Sequence, residues 1–341
     1  MTMSYNIALN FEDGVTRFIE SNAGETVADA AYRQGINIPL DCRDGACGTC
    51  KSFCESGRYD GGSYIEDALT DEEAEEGYCL TCQMKPQTDL VLRIDASSEV
   101  CKTQVSDFKS EVLGIEQLSD STISLSLKVE DAGRLHFLPG QYVKIQVPGE
   151  QDSRSYSFSS PPGSDVATFL IRNVPGGLMS GYLTERARPG DTLTLKGPLG
   201  SFYLRDTKRP VLMLAGGTGL APFLSMLGKV AETGCEQPIH LVYGVTTDGD
   251  LVEVETIAEY VKKIPNFTFA TSVADKGSNH PLKGYVTHHL EAKHLNAGDV
   301  DVYLCGPPPM VEAVRTFFRD QGVNPVNFHY EKFTPSEVGV S

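Results

Sequence analysis

Four cysteines, Cys42, Cys47, Cys50 and Cys54, fall within the fourteen residues of DCRDGACGTCKSFC. The first three are spaced C-x4-C-x2-C, and Cys79 and Cys82 follow in GYCLTC. A [2Fe–2S] cluster needs four thiolates, three close together and one much later in the plant-type spacing. Either Cys79 or Cys82 can supply the fourth. Gly45 and Gly48 suit such a loop, because glycine lets the backbone wrap tightly and aim N–H groups at sulfur. Zinc is the competing chemistry, since Cys47-x2-Cys50 with Cys79-x2-Cys82 is a tetrahedral frame. That frame leaves Cys42 and the glycine loop without a purpose. Nine cysteines, an odd number, cannot all pair as disulfides. Cys54, Cys101 and Cys235 read as non-ligands.

Two further regions carry chemistry. In RSYSFSS, Arg154 and Tyr156 stand two apart on a strand and so share a face. A guanidinium suits a pyrophosphate and an aromatic ring suits a flat heterocycle. Arg172 heads the stretch RNVPGGLMSGYLTERA, where Gly176 and Gly177 precede a helix starting near Met179–Ser180. Free N–H groups at a helix start make an anion site. Farther on, VLMLAGGTGLAP reads as strand, glycine loop and helix, with Gly217, Thr218 and Gly219 in the loop and Pro222 in the first helical turn. The third glycine of the dinucleotide fingerprint is missing. Cys305, Gly306 and Pro307 end a late strand, at the carboxyl edge where ligands bind in doubly wound sheets. Asp248 follows the second strand of that region with no arginine beside it; an acid there favours a free ribose hydroxyl, hence NADH over NADPH.

The elements that must position these residues change character along the chain. Residues 4–10 alternate as a strand, GVTRFIES is its hairpin partner, and ETVADAAYRQG is a helix closed by Gly35. Thr70 and Glu73 form a capping box ahead of an acidic helical turn, and LVLRID is a strand. From 108 to about 205, short strands separated by Pro/Gly turns predict an antiparallel barrel or sandwich. From 210 onward, strands alternate with helices, which predicts a parallel doubly wound sheet.

The net charge is −17, and the first hundred residues hold 19 acidic against 7 basic side chains. Such a surface excludes nucleic acid, whose phosphates require the opposite sign, and suits a basic protein partner. The apolar runs are too short to span a bilayer, and the N-terminus shows no basic region followed by an apolar stretch. A cytoplasmic protein is expected, with no membrane contact. No long heptad or large apolar run argues for assembly, so a monomer is expected.

With its C-x4-C-x2-C motif and closing L-x-C, the segment 5–95 resembles a plant-type ferredoxin, a β-grasp fold. That likeness implies Cys42, Cys47, Cys50 and Cys82 as the iron ligands and Cys79 as a neighbour. R-x-Y-S, the Gly-Gly-x-x-Ser turn, G-P-x-G-x-F, GGTGLAP and the late CGP together resemble the ferredoxin–NADP reductase superfamily. The resemblance implies an antiparallel β-barrel that binds FAD. Arg154 would hold a phosphate, Tyr156 and Ser157 would meet the isoalloxazine, and Arg172, Gly177, Met179 and Ser180 would serve the cofactor. It also implies a doubly wound α/β domain binding NADH through Gly217, Thr218, Gly219, Asp248, Cys305 and Gly306. Cys305 would lie beside the nicotinamide, and Phe333 in HYEKF would cover the flavin face. The expected domains are 1–97 for ferredoxin, a linker over 98–106, 107–206 for FAD and 207–341 for NAD. This order resembles the reductase components of aromatic-ring-hydroxylating dioxygenases, which pass electrons from NADH through FAD and [2Fe–2S] to a terminal oxygenase. Reductases of soluble di-iron monooxygenases share the order. A redox-sensing adaptor without catalysis is the alternative of a different class.

Overall fold

A computed structural model describes residues 4–102 and 105–333. The chain forms two compact units, residues 1–105 with 199–201, and residues 106–198 with 202–341. Residues 103–104 of the expected linker lie outside the described residues.

In the first unit, β1 (Ser4–Phe11) and β2 (Thr16–Asn22) form an antiparallel hairpin that aligns Ile7 with Ile19 in the core. Helix α1 (Val27–Arg33) starts at Thr26, whose hydroxyl accepts the Asp29 N–H, and buries Val27, Ala28, Ala30 and Ala31. Next come β3 (Lys51–Ser56), β4 (Tyr59–Asp60), α2 (Asp71–Glu76), β5 (Tyr78–Leu80), β6 (Lys85–Pro86) and β7 (Leu90–Ile94). The main sheet runs β2-β1-β7-β3-β5, with β7 parallel to β1 and the other pairs antiparallel. This is the expected β-grasp. Both halves of the Thr70–Glu73 capping box form, and Gly77 ends α2 at φ 108°, a conformation only glycine adopts freely. The chain beyond β7 still belongs to this core. Cys101 is 1% exposed, and its carbonyl accepts the Asn37 N–H at 2.8 Å.

The second unit begins with β8 (Ser106–Ser119), β9 (Thr122–Val129), β10 (Tyr142–Gln146), β11 (Ser153–Ser157), β12 (Val166–Arg172), α3 (Leu178–Gly181) and β13 (Thr192–Leu199). The sheet order is β11-β10-β13-β8-β9-β12, and an antiparallel bridge from Phe158 to Phe169 joins its two edges. The sheet therefore closes into a barrel, which removes free edges. Phe137 stacks on Phe158 inside it, ring centroids 3.7 Å apart.

A parallel sheet follows, built from β14 (Val211–Gly216), α4 (Ala221–Thr233), β15 (Ile239–Val245), α5 (Val254–Lys263), β16 (Phe267–Val273), α6 (Ala292–Leu295), β17 (Asp301–Gly306), α7 (Pro308–Asp320) and β18 (Asn327–Lys332). Its order is β16-β15-β14-β17-β18. Residues 211–215 of β14 are all buried, the continuous apolar run of a strand covered on both faces. Strand order reverses between β14 and β17, so a crevice opens at their carboxyl ends. Helix α5 and strand β18 were not anticipated from the sequence.

Candidate functional site

Three groups of residues could serve electron transfer, beginning with the thiols. Cys42 stands within hydrogen-bonding reach of Cys47 and Cys82, and Cys82 also of Cys50. The four thiols thus form one connected chain, 47 to 42 to 82 to 50. The loop geometry depends on glycine. Gly45 has φ 80° and a Cβ there would lie 2.5 Å from the Ser63 carbonyl; Gly48 has φ 72° and would meet Ala68 at 3.2 Å. The Ala46 N–H donates to Cys42 Sγ at 3.4 Å, and Gln83 Nε2 donates to Cys82 Sγ at 3.8 Å. Hydrogen bonds from Cys47 and Cys82 lower the Cys42 pKa, and one from Cys82 lowers that of Cys50. The same bonds raise the pKa values of Cys47 and Cys82, so the thiols share protons among themselves, with Cys42 and Cys50 on the thiolate side.

Cys79 behaves differently. It donates to the Ser52 carbonyl at 3.4 Å, across the β3–β5 pairing, and burial pushes its thiol pKa up. Cys54 donates to the Ser56 carbonyl at 3.4 Å. Among the described residues no three His, Cys, Asp or Glu side chains converge to hold one metal ion. A [2Fe–2S] cluster would take four thiolates, and these four thiols lie within reach of one another. The nest fits a [2Fe–2S] cluster better than a single zinc.

On the barrel, β11 carries Arg154, Tyr156 and Ser157. Arg154 donates to the Ser153 carbonyl at 2.9 Å and lies 3.9 Å from Asp152. Tyr156 is partly buried against the barrel core, and burial raises its phenol pKa. Ser157 faces the other way, and its hydroxyl donates to Glu331 of β18 at 3.2 Å. Gly177 precedes α3, and Ser180 Oγ accepts the Val174 N–H at 2.9 Å while donating to the Arg172 carbonyl at 3.2 Å. The Ser180 side chain therefore folds the turn back on itself, while Met179 is buried in the barrel. The backbone N–H groups of this first turn remain the groups suited to a phosphate. Exposed Arg172 ends β12, near enough to Asp250 to help hold that carboxyl below its usual range.

The third group lines the crevice between β14 and β17. A Cβ at Gly219 would stand 2.4 Å from the Cys305 carbonyl, and one at Gly216 would stand 2.5 Å from Met310 Sδ. Gly217, at φ 55°, has open space around its Cα. Phe333 packs on the core that holds Cys305, and its N–H donates to the Gly306 carbonyl at 2.9 Å. Cys305 is fully buried, and burial with the neighbouring Glu331 raises its pKa well above the usual thiol range. Asp248 sits in the exposed turn after β15 and accepts the Ser278 hydroxyl at 2.7 Å.

Sequence reasoning missed Glu331 and Met310. Glu331 pairs across the sheet with Cys305 and bonds Ser157, so it joins the barrel group to the crevice group. Its only local signal was its place two residues before Phe333.

Three family models match the chain in succession. Residues 10–87 match the 2Fe-2S iron-sulfur cluster binding domain, residues 109–203 the oxidoreductase FAD-binding domain, and residues 213–316 the oxidoreductase NAD-binding domain. The chain is 59% identical to the toluate 1,2-dioxygenase electron transfer component of Pseudomonas putida, covering 98% of this chain and 100% of the relative. It is 52% identical to the 2-halobenzoate 1,2-dioxygenase electron transfer component of Burkholderia cepacia, over 98% and 99%. Identity falls to 36% with a propane 2-monooxygenase reductase component of Mycolicibacterium goodii, over 96% and 97%. A crystal structure of an Amycolatopsis cytochrome P450 reductase superposes with a TM-score of 0.73 at 31% identity, covering 96% of this chain and 99% of that one.

Proposed function

We propose roles for these residues from the premise that the chain belongs to the electron transfer components of aromatic-ring 1,2-dioxygenases. It is an NADH-dependent oxidoreductase of three cofactor domains. Its partner is a terminal oxygenase of the benzoate 1,2-dioxygenase type, which it serves as a cytoplasmic monomer. The observation that carries this reading is the 59% identity over 335 residues, against 36% for the monooxygenase reductase.

When bound, the three cofactors supply a graded path: nicotinamide gives hydride, flavin accepts the pair and releases single electrons, and the iron–sulfur cluster passes them on. Cys42, Cys47, Cys50 and Cys82 would hold the cluster as thiolates. The glycine loop keeps its N–H groups near sulfur, which tunes the potential. Arg154 and the N–H groups after Gly177 would hold the flavin pyrophosphate, and Tyr156 would pack on the ring. Ser157, whose hydroxyl is oriented by Glu331, would meet the isoalloxazine. Gly217 and Gly219 would let the nicotinamide pyrophosphate approach the backbone, with Thr218 between them, and Asp248 would meet the ribose. Cys305, Gly306 and Phe333 shape the nicotinamide end of the crevice. Residues 1–97, 107–206 and 207–341 act as the three domains.

The test is reduction of purified oxygenases. NADH should drive this protein to reduce a benzoate-type dioxygenase faster than a di-iron monooxygenase. Equal rates, or NADH oxidation without reduction of any oxygenase, would refute the assignment.

A further inference from the structure

Asp250 ends the turn after β15, and its carboxylate is shared by both halves of the second unit. On its own side it accepts the Thr247 N–H at 2.9 Å and the Thr247 hydroxyl at 2.8 Å, which closes the turn. From the barrel it accepts the hydroxyl of Ser121, which lies in the tight turn between β8 and β9. That turn is itself held down, since the Asn173 N–H donates to the Ser121 carbonyl at 2.8 Å and Asn173 Nδ2 to the Asp120 carbonyl at 3.1 Å. Burial of Asp250 favours the neutral acid. The bonds from Ser121 and Thr247 and the nearby Arg172 guanidinium outweigh burial, and its pKa falls below the usual carboxylate range.

This contact sits where geometry matters. The turn 247–250 is at the carboxyl end of β15, one strand from the crevice, and β15 runs parallel to β14 with Gly244 beside Gly216. The barrel and the sheet share packed apolar contacts, since Leu170 of β12 and Phe202 lie in the core of the sheet. Such packing is non-directional, whereas a hydrogen bond to a carboxylate is directional and can set the fine alignment. Hydride transfer needs the reacting atoms about 3–3.5 Å apart, and about 1 Å of misplacement costs about 100-fold. A hydrogen bond to an ionised acceptor is also stronger than a neutral one.

We propose that Asp250, clasped by Ser121 and near Arg172, is a positioning residue that fixes the nicotinamide crevice against the flavin barrel. This rests on assigning the crevice to nicotinamide and the barrel to flavin. Asp250 touches neither cofactor in this role. It acts through the turn it closes and the hairpin it grips.

Ser121→Ala removes the clasp and leaves both Thr247 bonds intact, so the turn itself survives. In the full-length holoprotein, flavin reduction at saturating NADH should slow about tenfold, as expected for one lost charge-assisted hydrogen bond. Equilibrium affinity for NAD+ should stay within about twofold, because the crevice is unchanged. Hydrogen–deuterium exchange should rise on both sides of the contact, over 118–123 and 246–251. Ser121→Thr, which keeps the hydroxyl, should restore both. Flavin reduction within twofold of the parent would overturn the proposal, as would slowed reduction without faster exchange. If the unaltered holoprotein failed to reduce flavin with NADH, the cofactor assignment would be at fault and not the clasp.

Discussion

Gly219 lies so close to Cys305 that a Cβ on it would stand 2.4 Å from the Cys305 carbonyl oxygen and 2.8 Å from its carbon. These are backbone atoms of β17 and cannot rotate away. The glycine loop after β14 thus rests on the end of β17, and the two edges of the crevice are one packed surface. Gly219→Ala should push the loop outward, raising KM for NADH by about tenfold or more while FAD content stays constant. Steady-state kinetics with ferricyanide and flavin fluorescence measure the two. An unchanged KM would mean that the loop does not shape the nucleotide site.

Ser157 and Glu331 are 174 residues apart in sequence and 3.2 Å apart in space. If the carboxylate orients the hydroxyl, Glu331→Gln and Ser157→Ala should each slow flavin reduction by about tenfold, from loss of one hydrogen bond to a charged group. The double variant should be little worse than either single one, because both remove the same interaction. Additive losses in rapid-mixing experiments would show that the two residues act independently.

Helix α2 presents Asp71, Glu72, Glu75 and Glu76 to solvent, while Glu73 turns inward to pair with Lys51 at 2.5 Å. The exposed four are suited to steer a basic oxygenase surface toward the iron–sulfur domain, an effect that salt weakens. Reversing Glu72 and Glu75 to lysine should slow oxygenase reduction about tenfold at low ionic strength and leave ferricyanide reduction unchanged. Oxygenase kinetics that match the parent at low salt would rule steering out.

How much of this could be seen in the sequence depends on the reach of each interaction. The cysteine spacing, the Thr70–Glu73 capping box and the Gly217–Gly219 loop are local, so residue types at short intervals expose them. The choice between Cys79 and Cys82 is not local, because both sit in one CxxC. Pairing of Ser52 with Cys79 turns that thiol into the sheet, and only the chain reversal after β5 brings Cys82 to Cys42. Glu331 and Asp250 escaped notice because their partners are 174 and 129 residues away. Strand β18 was hidden by its composition, since NFHYEK is only partly buried and lacks the apolar run of β14. Helix α5 was legible, since Val254, Ile257, Ala258 and Val261 stand at helical spacing, and it was passed over although the pattern is local.

The most direct measurement is iron content with visible and EPR spectra for the parent, Cys42→Ser, Cys79→Ser and Cys82→Ser. The parent should be red-brown, with about two irons per chain and a low cluster potential, about −400 mV for the plant-type spacing. Cys42→Ser and Cys82→Ser should bleach or strongly perturb the cluster signal. Cys79→Ser should leave it intact, since that thiol bonds the Ser52 carbonyl instead. A colourless parent containing one zinc, or a cluster that is lost on replacing Cys79 and survives replacement of Cys82, would contradict the assignment of Cys42, Cys47, Cys50 and Cys82 as the iron ligands.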